Sequence, residues 1–208
     1  MNTNLKYLRT ENSIRDAVVT LINDEGLNKI TVRQISTLAH INRTTFYRHY
    51  LDKPDLISKY RDNFLEQVSK IVREELPNVT NYYNLDSIGT PYSLFKRIID
   101  FIVDNWAFCQ SWLGPKGDLE TRNQFMDLIS EKLKEKFNQV QKYHNLHPKI
   151  PLEFAQELIV SQLWSILKIW FQQPKPLSKE KIIDIVLKTR YLSPFELTGL
   201  SELTIKSK

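Results

Sequence analysis

Cysteine is nearly absent from this chain: Cys109 is alone among 208 residues. A single thiol excludes an intrachain disulfide framework and any zinc site built on several thiolates of one chain, and it fits a reducing cytoplasm. Long apolar runs are also missing. The most apolar stretch, Leu158 to Phe171, is too short to span a bilayer and contains Lys168. The opening residues, Met1 to Arg9, hold no apolar segment of the kind a secretion signal needs. We therefore expect a cytoplasmic protein with no membrane partner. Strand signals are lacking too, because no stretch alternates apolar and polar residues between hairpin turns such as Asn-Gly. Repeats, low-complexity segments and an acidic tail are absent, and 41% hydrophobic content excludes a collagen-like or wholly disordered chain.

What is present is helical. Between the scarce glycines and the prolines lie breaker-free runs at 55–76, 92–113, 118–147, 152–173 and 177–193, lengths that suit helices, so the expected fold is all-α. Ile14, Ala17, Val18, Leu21 and Ile22 recur at helical spacing and predict a first helix over 10–25, stopped by Gly26. Thr31-Val-Arg-Gln34 reads as a capping box that opens a short helix at Val32, with Ile30 and Ile35 as its hydrophobic staple. Asn42 is placed to cap another helix, with Ile41 and Phe46 in the staple positions. Asp52 is placed to cap a third that begins Lys53-Pro54, with Leu51 packing on Leu56.

Three short capped helices followed by long ones describe a helix-turn-helix head on a helical body. The charge is concentrated on that head. Of 29 basic and 24 acidic residues in the chain, the segment from Lys29 to Arg61 holds seven basic against only Asp52 and Asp55, a surplus of five that equals the whole net charge of +5. On the helix from Arg43 to Tyr50, helical spacing turns Phe46 and Tyr50 to the core and Thr44, Thr45 and Arg48 away from it, with Tyr47 and His49 on the flanks. This suits a helix in a DNA major groove, with a guanidinium and small hydroxyls at base edges and Tyr and His donors at phosphates. The same pattern is also that of an ordinary solvated helix face, and periodicity does not separate the two.

The residues Thr31-Val-Arg-Gln-Ile-Ser-Thr-Leu-Ala39 and Ile41-Asn-Arg-Thr-Thr-Phe-Tyr-Arg-His-Tyr-Leu-Asp-Lys-Pro-Asp-Leu56 do more. They closely resemble the N-terminal DNA-binding domain of the TetR family of transcriptional regulators, over roughly residues 10–57. The resemblance implies that Arg43, Thr44, Thr45, Tyr47, Arg48 and His49 occupy recognition-helix positions, Thr31 and Arg33 the supporting helix, and Lys53 a phosphate contact. Two positions depart from the family pattern. His40 stands where the turn usually has glycine, so the turn should hold some backbone strain. Thr44 follows Arg43 where glycine or another small residue is frequent. Further along, Trp112-Leu-Gly-Pro-Lys-Gly-Asp-Leu119 and Phe125 resemble the subset of this family that includes regulators of dihydroxyacetone kinase operons.

Other candidate sites point away from catalysis. His144 and His147 lack a third ligand, so no metal is expected. Cys109 lies in an apolar run and reads as a buried hydrophobe. Gly114, Pro115 and Gly117 form a loop without the Lys-Ser/Thr ending of a phosphate cradle. We expect no cofactor and no enzyme. The body is rich in aromatics, and their density suggests that a small-molecule effector binds near Trp106, Gln110, Phe125 and Trp164. The run 152–173 is apolar on nearly all sides and needs burial on two faces. Packing it against a second subunit, with helix 179–192 beside it and Leu163 and Val186 in the contact, predicts a homodimer.

The expected division is residues 1–57 as the helix-turn-helix DNA-binding domain and 58–208 as a helical regulatory and dimerisation domain. The expected function is a repressor that binds a palindromic double-stranded DNA operator as a homodimer and responds to a ligand. The alternative is a DNA-bound adaptor or activator whose C-terminal domain binds a protein.

Overall fold

The computed structural model describes residues 2–75, 91–144 and 149–199. Among these residues every regular element is an α-helix, in the order α1 (Asn2–Glu25), α2 (Val32–Leu38), α3 (Arg43–His49), α4 (Lys53–Glu75), α5 (Pro91–Asp104), α6 (Trp106–Leu113), α7 (Leu119–His144), α8 (Leu152–Gln172), α9 (Lys179–Tyr191) and α10 (Pro194–Leu197). None is long and apolar enough to cross a membrane. The chain divides into two compact units, Met1–Ile71 with Asp104–Ile129, and Val72–Val103 with Ser130–Lys208. The motif-based division at residue 57 and this division by compactness cut the chain at different places, since residues 104–129 join the N-terminal helices.

In the first unit, the periodic face of α1 is its core: Ile14, Ala17, Val18, Leu21 and Ile22 are all buried. The helix begins well before residue 10, because the polar stretch before Thr10 contains no breaker to stop it. It ends at Gly26, whose φ of 89° is the left-handed conformation that glycine adopts without a Cβ penalty. The N–H of Leu27 donates to the Lys116 carbonyl at 2.9 Å, and the Lys116 ammonium donates back to the carbonyls of Asn23 and Asp24 at 2.6 and 3.0 Å. The loop between α6 and α7 thereby closes off the end of α1. That loop turns tightly against α6, and a Cβ at Gly117 would come within 2.0 Å of the Trp112 carbonyl oxygen, which explains the glycine. Below it Arg61 of α4 donates twice to Asp118, at 3.0 and 2.9 Å, and Asp118 accepts from the Thr121 hydroxyl at 2.6 Å. Thr121 in turn accepts from the Trp112 indole at 3.0 Å, so this mostly buried polar chain satisfies its own members.

In the second unit α5 buries Leu94, Phe95, Ile98, Ile99 and Ile102. On α8 the inward seam is Val160, Leu163, Leu167 and Trp170, matched on α9 by Ile182 and Val186. Gln162 of α8 donates to the Thr189 carbonyl of α9 at 2.8 Å, and the Trp170 indole donates to the carbonyl of Leu177, in the segment that leads into α9, at 2.9 Å. This corrects the expectation for Leu163 and Val186. They are only 2% and 5% exposed within a single chain and belong to its core. The large apolar residues left outside on α8 are Phe154, Leu158 and Ile169, each more than 60% exposed. A helix with two apolar faces does not announce in its sequence which face turns inward.

Candidate nucleic-acid interface

The interface is built from α2, the turn and α3. Thr31 caps α2 reciprocally: its hydroxyl accepts from Gln34 N at 3.3 Å, and the Gln34 side-chain oxygen accepts from Thr31 N at 2.9 Å. Gln34 also donates to the Glu25 carboxylate at 2.8 Å, which fastens the cap to the end of α1. The turn closes with Ile41 N donating to the Ser36 carbonyl at 3.0 Å and His40 N to the Thr37 carbonyl at 3.2 Å. This paired pattern requires a left-handed residue at its centre. His40 supplies it with φ 54°, the sole non-glycine at positive φ among the described residues, as the missing glycine led us to expect.

Asn42 opens α3 with its backbone and not its side chain, contrary to expectation: its carbonyl accepts from Thr45 N at 2.8 Å, and its side chain makes no capping bond. Asp52 does cap α4, accepting from Asp55 N at 2.8 Å. Leu51, however, is exposed and does not pack on the buried Leu56. Asp55 pairs with Lys59 at 2.9 Å and accepts from Leu51 N at 2.8 Å, and the Lys59 bond first, then the Leu51 bond, holds its carboxyl below the usual range.

Phe46 and Tyr50 are buried, and with them fixed the remaining side chains of α3 fall on an exposed face. Arg43, Thr44, Tyr47 and Arg48 are exposed there and Thr45 is half-buried, while Arg33 is exposed on α2. The three guanidiniums have no carboxylate partner among the described residues. Each keeps a planar fork of donors, the geometry that matches a guanine edge or a phosphate.

Two expected DNA contacts are engaged elsewhere. His49 is not a free flank residue: its side chain is 6% exposed, its Nδ1–H donates to Glu11 of α1, and its ring stacks on Tyr7 at 4.2 Å. Spacing places His49 on the flank correctly but does not reveal that α1 reaches back far enough to cover it. Lys53 donates to the carbonyls of Leu27, Asn28 and Ile30 at 2.9, 3.1 and 2.9 Å. An ammonium has three hydrogens, and three carbonyls have taken them, which leaves none for a phosphate. Burial pushes this ammonium below its ordinary value. Thr31 is exposed but its hydroxyl also donates to Gln34 at 2.8 Å, so its first role is the cap.

Glu11 is the residue that spacing missed. The buried Tyr50 hydroxyl needs an acceptor, and that requirement was the available signal. Glu11 supplies it at 2.5 Å. Burial first, then the neighbouring Tyr60 and Glu11, push the Tyr50 hydroxyl far up, so it stays a donor.

The expected effector residues separate between the units. Trp106, Gln110 and Phe125 lie in the first and Trp164 in the second. Phe125 is fully buried and packs on Phe64 at 5.7 Å, which makes it core. Trp106 lines an open cleft of about 400 Å³ with Asn12, Arg15, Asp16 and Val19 of α1 and residues 104–108. In it Arg15 donates to the Asn105 side chain at 3.2 Å and lies 4.8 Å from the Phe108 ring centre. Cys109 is buried and its thiol is pushed up to about 12 by burial, so it is no ready nucleophile. Among the described residues no group of three or more His, Cys, Asp or Glu is arranged to hold a metal, and the His144 side chain and His147 lie outside them.

The comparisons with known proteins agree with this head. Residues 14–59 match the family model described as "Bacterial regulatory proteins, tetR family", and residues 89–190 match TetR_C_8, "Transcriptional regulator C-terminal region". The chain belongs to the TetR family of transcriptional regulators. Such regulators are non-enzymatic DNA-binding proteins, typically repressors. The fold of this TetR regulator is similar to that of NalD from Pseudomonas aeruginosa, the secondary repressor of the MexAB-OprM multidrug efflux pump, at a TM-score of 0.66 and 17% identity over 88% of this chain and 95% of that one. It is similar to the fatty acid degradation regulator FadR from Bacillus halodurans at 0.62 and 16%, over 85% and 92%. FadR from Bacillus subtilis, solved with stearoyl-CoA, aligns at 0.56 and 15%, over 85% and 97%. Among curated proteins none matches the sequence.

Proposed function

We propose that this regulator is a cytoplasmic, ligand-responsive repressor that binds a palindromic operator as a homodimer. The observation that supports DNA reading most is the trio of exposed guanidiniums without a carboxylate partner among the described residues, Arg33, Arg43 and Arg48, on a helix-turn-helix with Phe46 and Tyr50 locked beneath it. Arg48 reads a base edge together with Thr44 and Thr45, and Tyr47 meets the phosphate wall. Two copies related by a two-fold axis would set their recognition helices about 34 to 36 Å apart, one turn of duplex.

Dimerisation is supported by Phe154, Leu158 and Ile169, an apolar stripe left exposed on α8. A protein partner on the same stripe is the adaptor reading, and sedimentation of the purified chain decides between them. The cleft lined by Arg15 and Trp106 supports an effector site in the first unit, and an effector acts by favouring one spacing of the recognition helices. NalD is a repressor and one FadR was solved with an acyl-CoA, which supports the class of mechanism and not the identity of the ligand. Kinship with dihydroxyacetone kinase regulators rests on residues 112–119 and Phe125.

The test begins by selecting duplexes from a random pool with the wild-type protein. Arg48→Ala should then cost roughly 1 to 3 kcal/mol on the selected operator and relax preference at one base pair. Equal weakening on operator and scrambled duplex would refute the base-reading role of Arg48.

A further inference from the structure

We propose that Glu11 is a positioning residue for the recognition helix: from α1 its carboxylate clamps the last turn of α3 and sets the angle at which Tyr47 and Arg48 meet DNA. The proposal rests on the DNA-reading function above. Glu11 lies outside the matched segment 14–59, and no expected contact included it.

α3 has seven residues and no side-chain cap at its start. Two turns of helix have little orientational stiffness of their own, so the direction of α3 depends on what holds it from outside. Phe46 anchors its middle in the core. Its last turn is held at adjacent points by one carboxylate, since Glu11 Oε1 accepts from His49 Nδ1–H and Oε2 accepts from the Tyr50 hydroxyl at 2.5 Å. Tyr7, one turn earlier on α1, covers the His49 ring with an interplanar angle of 18°. Lys59 of α4 completes the hold by donating to the His49 carbonyl at 3.1 Å.

These contacts close immediately after Tyr47 and Arg48 in sequence. Release of the clamp would let α3 pivot about Phe46, and contacts to base edges tolerate displacements of only about 0.5 Å. Phosphate contacts by flexible arginines tolerate more. The loss should therefore fall on discrimination more than on overall attraction.

The experiment measures affinity for a duplex selected by the wild-type protein and for a scrambled duplex of the same length and composition, and takes their ratio. Unfolded molecules bind neither duplex productively, so a merely structural role lowers both apparent affinities together and leaves the ratio unchanged. Glu11→Ala should lower the ratio about tenfold, a fraction of what two charge-assisted bonds contribute, because the rest of that loss falls on stability and not on discrimination. Glu11→Gln keeps an acceptor for Tyr50 and should restore much of it. Tyr50→Phe keeps the ring, removes one donor, and should lower the ratio about threefold. Combining Tyr50→Phe with Glu11→Ala should add little, because the same bond is lost once. A folded Glu11→Ala with a wild-type ratio overturns the proposal. If that variant fails to fold, a wild-type ratio in Tyr50→Phe overturns it instead. A wild-type protein that selects no duplex overturns the DNA-reading function itself, a different result from an unchanged ratio.

Discussion

Two helices of this protein, α3 and α8, show opposite chemistry on their outer faces. α3 buries Phe46 and turns Arg43, Thr44, Tyr47 and Arg48 outward, while α8 buries Val160, Leu163 and Leu167 and turns Phe154, Leu158 and Ile169 outward. The first face is polar and basic, a chemistry that attracts a polyanion. The second leaves apolar surface in water, which is favourable to cover. What a helix leaves exposed thus tells more about its partner than what it buries.

The contrast breaks most sharply on α8. Leu158→Asp puts a carboxylate into the proposed dimer face, at a cost above about 3 kcal/mol of association, and should convert dimers to monomers in sedimentation at micromolar concentration with helicity retained. Leu163→Ala, on the inward seam of the same helix, should do the reverse: chemical denaturation should show a loss of about 2 to 5 kcal/mol of stability, with association of the folded chain unchanged. If Leu163→Ala alters association and Leu158→Asp does not, the two faces have been exchanged.

On the head, the contrast lies between Arg48, which has no carboxylate partner among the described residues, and Lys53, which is occupied. Lys53→Met should cost about 1 to 3 kcal/mol in denaturation, because three loop carbonyls lose their donor. It should leave the salt dependence of DNA binding nearly unchanged. A slope reduced by about one unit would show that this ammonium also meets a phosphate. The smallest effect belongs to the turn. His40→Gly should raise stability by about 1 kcal/mol by removing the left-handed strain, less the extra freedom glycine gives the unfolded chain, and thermal melts would read it. A decrease would mean that the His40 side chain makes a contact worth more than its strain.

Much of the head was legible because its determinants are local. A capping box needs only Thr31 and Gln34, a helix stop only Gly26, and a buried side of α3 only Phe46 and Tyr50 at helical spacing. The roles assigned to His49 and Lys53 were not local. Each depends on groups far away in sequence, Glu11 and Tyr7 for the one and the carbonyls of Leu27 to Ile30 for the other. Resemblance placed both residues at contact positions, and packing assigned their donors elsewhere. Gly117 shows a third kind of dependence: the sequence marks a loop, while its close approach to Trp112 becomes visible only in three dimensions.

By itself the sequence determined the all-α fold, the helix-turn-helix, the basic surplus on it and the membership of its family, since periodicity, caps and a contiguous motif are written along the chain. Tertiary structure alone decided which apolar face of α8 turns inward, that the Lys53 ammonium is taken by three carbonyls, and that α1 grips the end of α3. Those outcomes follow from competition among distant partners for a limited set of hydrogen bonds and buried surface, and no local spacing records who wins.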